Sequence, residues 1–104
     1  VFSAGQAILC AKAGAKYVSP FIGRIDDSGW DGVQLVEQIV KIYSVQNFKT
    51  EVLAASIRNV NHIIRCAEVG AHVCTSPLES ILGLLKHPLT DIGLAKFLED
   101  AKKL

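Results

Sequence analysis

The sequence predicts an α/β chain built from successive β–α units with parallel strands. Three observations carry that prediction. First, Cys-Ala-Lys-Ala-Gly-Ala-Lys-Tyr-Val-Ser-Pro at 10–20 is echoed, with one insertion, by Cys-Ala-Glu-Val-Gly-Ala-His-Val-Cys-Thr-Ser-Pro at 66–77. Each copy reads as a helix end, a glycine cap, a short strand and a proline stop, so successive strands run parallel through right-handed crossovers. Second, Val52 to Ala55 is apolar and uncharged, as in strands buried on both faces of a parallel sheet. Third, helical periodicity separates the short apolar runs. Four such units fit the chain, as a small doubly wound sheet or as half of an eight-stranded barrel. The chain opens at Val1-Phe2-Ser3, shorter than a usual strand, and passes at once into a helical pattern. That opening reads as a cut inside a sheet. It favours the half-barrel, with residues 1–104 as a single fragment.

In chain order, Gly5 to Ala13 reads as a helix with a broad apolar face, ended by Gly14. Lys16 to Ser19 is a strand, halted by Pro20, which lacks a ladder donor. Asp26 to Gly32 reads as a polar loop, and Asp31 as the cap of a helix from Gly32 to about Ser44. In that helix Val33, Val36, Val40 and Tyr43 recur at helical spacing, with Leu35, Ile39 and Ile42 widening the stripe. After a strand over Thr50–Ala55, Asn59 caps a helix through Val69 that would bury Val60, Ile63, Ile64 and Ala67. Gly70 ends it. Ala71–Thr75 is the next strand. Ser76, Pro77 and Glu79 predict a capping box opening a helix to about Lys86. His87-Pro88 breaks that helix, and a last amphipathic one, roughly Asp91 to Lys102, carries Leu94, Phe97, Leu98 and Ala101 on one side.

Half of the residues are hydrophobic, enough for a real core, and the formal net charge is +1. That balance argues against a nucleic-acid or acidic-membrane footprint. No apolar run reaches the roughly 18 residues of a bilayer span, and no signal peptide opens the chain. Cys10, Cys66 and Cys74 have neither CxxC spacing nor an even count, so they read as reduced thiols of a cytoplasmic protein. His62, His72 and His87 show no ligand spacing, which argues against a metal site.

The candidate site lies where two strands end. Arg24 follows the strand stopped by Pro20, and its position alone fits a surface arginine as well as a site residue. Ser56-Ile57-Arg58 is more specific. A hydroxyl, a guanidinium and a helix start together suit a phosphate monoester, because arginine matches its oxygens with a fork of donors. The bland alternative is a capping Ser56 and a solvated Arg58. Phe21 is more often a lid on the core than a substrate contact, and Gln6 more often packing. Asp26 and Asp27 read by default as carboxylates of a solvated loop, with orientation of Arg24 as the functional alternative. No lysine falls at the interior C-terminal end of a strand, so none reads as an activated nucleophile.

Four stretches bear a family likeness: Phe-Ser-Ala-Gly-Gln-Ala at 2–7, Gly-Ala-Lys-Tyr-Val-Ser-Pro-Phe-Ile-Gly-Arg-Ile-Asp-Asp at 14–27, Glu-Val-Leu-Ala-Ala-Ser-Ile-Arg at 51–58 and Lys-His-Pro-Leu-Thr-Asp-Ile-Gly-Leu-Ala-Lys-Phe at 86–97. Together they resemble transaldolase, in particular the small bacterial branch that includes the fructose-6-phosphate aldolases. The resemblance implies the C-terminal half of a (β/α)₈ TIM barrel, about four βα units plus a terminal helix. It implies transfer of a dihydroxyacetone unit between sugar phosphates in the pentose phosphate pathway: fructose 6-phosphate, sedoheptulose 7-phosphate, erythrose 4-phosphate and glyceraldehyde 3-phosphate. It further implies a Schiff-base lysine upstream of this chain, no metal or organic cofactor, and a homo-oligomeric full-length protein. Arg24, Ser56 and Arg58 match phosphate-binding positions, and Ser19 and Phe21 match pocket-lining ones. The aldolase subgroup carries a tyrosine where this chain has Phe21, which points to transaldolase. The chain alone is expected to be inactive. The rival readings are a fructose-6-phosphate aldolase and a non-catalytic, self-associating half-barrel that binds phosphate.

Overall fold

A computed structural model describes residues Val1–Leu104 as an α/β chain. Helix α1 (Ala4–Lys12) is followed by β1 (Tyr17–Val18), α2 (Ile22–Asp27), α3 (Gly32–Val45) and β2 (Glu51–Ala54). Then come α4 (Val60–Val69), β3 (Val73–Cys74), α5 (Leu78–Gly83) and α6 (Pro88–Ala101). The strands form one parallel sheet in the order β1-β2-β3. Val18 pairs with Val52 and Ala54 with Cys74. All three C-terminal strand tips therefore lie at one end.

The sheet has three strands, not four. Val1–Ser3 is not a strand, because its link to β1 is a single hydrogen bond from the Val1 ammonium to the Ser19 carbonyl (2.7 Å). Ser3 instead caps α1: its Oγ accepts from the Gln6 N–H, while Gln6 Oε1 accepts from the Phe2 N–H at 2.7 Å. Gln6 thus belongs to a reciprocal cap and does not reach the mouth.

Asp31 and Asn59 cap α3 and α4 as their sequence positions predict. Asp31 Oδ1 accepts from the N–H of Val33 and Gln34, and Asn59 Oδ1 from that of His62. Gly70 closes α4 in the left-handed region (φ 90°), open to glycine at little cost. Two expectations fail at the other caps. Residues 22–27 are helical, so Asp26 and Asp27 sit at a helix end, not in a loop. The Ser76 hydroxyl donates to the Pro77 carbonyl instead of capping, and α5 stops at Gly83. His87 then starts α6 early, its Nδ1 accepting from the Leu89 N–H with Pro88 at the first helical position.

The core gathers Ala7, Val18, Ile22, Val33, Val36, Ile39, Tyr43, Val52, Ala54, Ile57 and Cys66. The α3 stripe buries Val33, Val36, Ile39 and Tyr43, whose hydroxyl donates to the buried Ala7 carbonyl at 2.6 Å. The α4 face differs from expectation. It turns His62 and Cys66 inward and leaves Ile64 exposed. The polar ring of His62 is accepted there because both its nitrogens have partners. In β2 alternate residues are fully and half buried, so one face is covered more completely than the other.

The radius of gyration is 18.4 Å, against about 13 Å for a compact chain of this length. The excess comes from the C-terminal end. α6 buries no residue, and Phe97 is 75% exposed. Its predicted apolar stripe, Leu94, Phe97 and Leu98, has no partner within the chain.

Candidate functional site

The tips of β1 and β2 are knitted together past their last ladder pairs. Buried Pro20 cannot donate, yet its carbonyl accepts from the Ala55 N–H (3.0 Å), and the Ile22 N–H returns to the Ala55 carbonyl (2.9 Å). The Gly23 N–H then donates to the Ser56 carbonyl at 2.9 Å. Ser56 holds φ at 56°, a left-handed conformation that a non-glycine residue adopts only under constraint. Half-buried Ser56 is therefore bound through its backbone to the first turn of α2.

Arg58 follows two residues later. Its side chain crosses over Gly23 and forks onto the Asp27 carboxylate with two hydrogen bonds, Nη1 to Oδ1 and Nη2 to Oδ2, the latter at 2.7 Å. The Arg58 hydrogen bond and charge hold Asp27 below its usual carboxylate range, and Asp27 in turn raises Arg58. This is the planar geometry by which a guanidinium takes any oxyanion, phosphate included. Both side chains are about half exposed, so the pair is a weak source of stability.

Arg24 has a different environment. Its guanidinium carbon lies 5.4 Å from the Phe21 ring centroid, and Phe21 meets Phe2 edge-on at 5.7 Å. Arg24 lines a cavity of about 1010 Å³ with Phe2, Ser3, Trp30, Gln34 and Lys41. Ser56 and Arg58 do not line it. The backbone thus brings the Arg24 and Ser56–Arg58 segments side by side, while the two guanidinium groups engage different partners. Asp26 and Asp27 do not orient Arg24; they serve His62 and Arg58. Half-buried Ser19 offers its carbonyl to Val1, and Phe21 backs Arg24.

Sequence reasoning missed His62 and Gly23. Buried His62 accepts the Arg58 N–H at Nδ1 (3.1 Å) and meets Asp26 Oδ2 through Nε2 (2.9 Å). The other Asp26 oxygen accepts the Gly32 N–H at 2.8 Å. The backbone N–H of Arg58 is therefore already taken, not free for an anion. The i, i+4 spacing of Arg58 and His62 across the start of α4 is the signal in the sequence that could have found this contact. A further pair, Arg65 with the α3 cap Asp31 at 3.0 Å, braces the same end of the molecule. Lys16 and Lys49 precede β1 and β2, so they stand at the opposite, N-terminal ends of the strands.

Parallel β–α units with polar and cationic groups at adjoining C-terminal strand tips define an α/β protein of the kind that places its chemistry at that end. The chain belongs to the Transaldolase/Fructose-6-phosphate aldolase family, which it matches over residues 1–104. It is 68% identical over 104 residues to a probable transaldolase of Phocaeicola vulgatus, covering 100% of this chain and 48% of that protein. A probable transaldolase of Cytophaga hutchinsonii is 66% identical with the same coverage, and one of Flavobacterium psychrophilum is 59% identical over 99% of this chain and 47% of its own. The chain thus spans about half the length of the curated relatives it matches. Among solved structures, mandelate oxidase aligns with a TM-score of 0.53 and 19% identity over 73% of this chain and 24% of that one, a likeness of fold alone.

Proposed function

We propose that this chain is the phosphate-gripping, C-terminal half of a transaldolase barrel. The full-length protein would transfer a dihydroxyacetone unit between sugar phosphates in the cytoplasmic pentose phosphate pathway. A lysine outside this chain attacks the ketose carbonyl and forms a Schiff base with loss of water. Carbon–carbon cleavage releases an aldose phosphate, the retained three-carbon enamine adds to a second aldehyde, and water hydrolyses the resulting Schiff base to free the new ketose phosphate and the lysine. The residues here hold the phosphate. Arg58 and Ser56 bind it, with Ser19 and Phe21 shaping the approach, so that binding energy remote from the carbonyl orients the reacting carbons. Arg24, stacked on Phe21 beside a separate cavity, joins them only by swinging off that ring.

One observation carries this reading: the Arg58 fork already grips an oxyanion, the Asp27 carboxylate, at the joined tips of β1 and β2. The placing of Lys16 and Lys49 at the far ends of the strands supports a Schiff-base residue on the other half. Phe21, with no hydroxyl, favours transaldolase over the aldolase reading. Glyceraldehyde 3-phosphate release, assayed with and without erythrose 4-phosphate, separates the two. The uncovered apolar stripe of α6 supports assembly of the full-length protein into a homo-oligomer.

The test is Arg58→Ala in the full-length protein. Loss of the charge-assisted fork raises KM for fructose 6-phosphate about 10- to 100-fold, while borohydride still traps the Schiff base. An unchanged KM removes Arg58 from the site. The chain alone, mixed with fructose 6-phosphate and borohydride, is expected to give no adduct; a covalent product would overturn its assigned inactivity.

A further inference from the structure

We propose that His62 is a positioning residue for the phosphate grip, setting Arg58 from behind without touching substrate; this rests on the phosphate reading of Arg58 above. His62 is 6% exposed, on the first turn of α4, with both ring nitrogens engaged. Nδ1 accepts the Arg58 N–H at 3.1 Å, which places the ring proton on Nε2. Nε2 then donates to Asp26 Oδ2 at 2.9 Å, and Asp26 Oδ1 holds the Gly32 N–H. The backbone beneath the ring is fixed, because the His62 N–H is tied to the Asn59 side chain at 2.9 Å.

One imidazole thereby joins the two segments that decide where Arg58 points. Through Nδ1 it anchors the Arg58 backbone. Through Nε2 it anchors Asp26 at the end of α2, the helix whose first turn the Arg58 side chain crosses at Gly23. The choice of histidine follows from the geometry. A neutral imidazole presents an acceptor and a donor on opposite sides of a rigid ring. An amide side chain carries both at one tip and cannot span the gap. An apolar residue would leave the part-buried Arg58 N–H without its partner and release Asp26 from α4.

The two halves of this role separate by substitution in the full-length protein. His62→Asn keeps an acceptor near the Nδ1 position and loses Asp26. His62→Gln reaches toward Asp26 and loses the Arg58 anchor. With kcat within about twofold of wild type, KM for fructose 6-phosphate should rise about tenfold in His62→Gln and by less in His62→Asn. The inhibition constant for inorganic phosphate should rise in parallel. In an Arg58→Ala background neither substitution should raise KM further, because the group being positioned is gone. A fall in kcat at constant KM, or an equal rise in KM with and without Arg58, would show a role in folding alone and overturn the proposal. If His62→Gln does not fold, the Asn variant with and without Arg58 decides on the same readout. Should Arg58→Ala itself leave KM unchanged, the phosphate reading fails and this inference with it. A raised KM in Arg58→Ala beside silent His62 variants rejects His62 only.

Discussion

Gly23 lies directly beneath the Arg58 side chain: a methyl group at Gly23 would collide with Arg58 Nε and stand 2.8 Å from its Cδ. It would also stand 2.6 Å from the Ser56 carbonyl oxygen, a backbone atom that cannot swing aside. Gly23→Ala therefore forces apart the tips of β1 and β2 and displaces Arg58 together. Overpacking of this kind costs about 1–3 kcal/mol. The expected result is a lower urea midpoint and a higher KM for fructose 6-phosphate in the same variant. Stability and KM both unchanged would mean that the tips are looser than the contacts indicate.

Asp27 competes with phosphate for one fork. Asp27→Asn removes the negative charge while keeping the side-chain shape, so inorganic phosphate should inhibit the full-length enzyme at a severalfold lower concentration. Acid stability gives a second readout. The folded-state pKa of Asp27 lies below its usual value of 3.8, chiefly through the hydrogen bond from Arg58. Its contribution is in full force above that value and is lost as pH falls through the lower folded one. Wild type should thus lose slightly more stability than Asp27→Asn as pH falls from about 5 through the lowered folded-state value. Identical urea midpoints of the two proteins across that range would remove the pair from the stability account.

Cys66 sets the alkaline limit. Burial, with a smaller contribution from Cys74, pushes its thiol from 9.0 up to about 11. Above pH 9 the unfolded chain releases this proton while the folded chain keeps it, so stability falls as pH rises from about 9 to about 11 and levels off beyond. Cys66→Ala should be less stable at about pH 8, through its lost volume, yet show a flatter decline to about pH 11. Parallel declines in urea midpoint would place the alkaline sensitivity elsewhere.

Local chemistry made much of this fold legible. Asp31, Asn59, Gly70 and Pro20 act within a few residues of themselves, and the structure places each where its side chain dictates. Val52 to Ala55 announced a parallel strand by its lack of charge. The failures arise where a distant partner decides. Ile64 belongs to the apolar period of α4, but Asp26 and the Arg58 N–H draw His62 inward and rotate the helix so that Ile64 faces out. Asp26 and Asp27 read as loop acids because the helix they end is only 6 residues long. At the site, the residue types at 24, 56 and 58 were readable. The crossing of Arg58 over Gly23 was not, since it depends on two segments far apart in the chain meeting at one sheet end.

Ser56 carries a test in which stability and function move in opposite directions. Its φ of 56° is one that glycine adopts freely and serine adopts at a cost of about 1–3 kcal/mol. The Gly23 N–H, held by the Ser56 carbonyl, is part of what maintains it. Ser56→Gly should therefore raise the urea midpoint, with a gain of about 1 kcal/mol after the added freedom of the unfolded glycine is counted. It also deletes the hydroxyl assigned to the phosphate, so KM for fructose 6-phosphate should rise severalfold. Asn47 supplies the control. It holds nearly the same φ, 55°, in the turn after α3, away from the strand tips. Asparagine tolerates that region better than serine, so Asn47→Gly should change stability little and KM not at all. A Ser56→Gly protein that is stabilised with KM unmoved would strip the hydroxyl of its assigned role. One that is destabilised would show that the serine side chain, and not only its backbone, holds the turn.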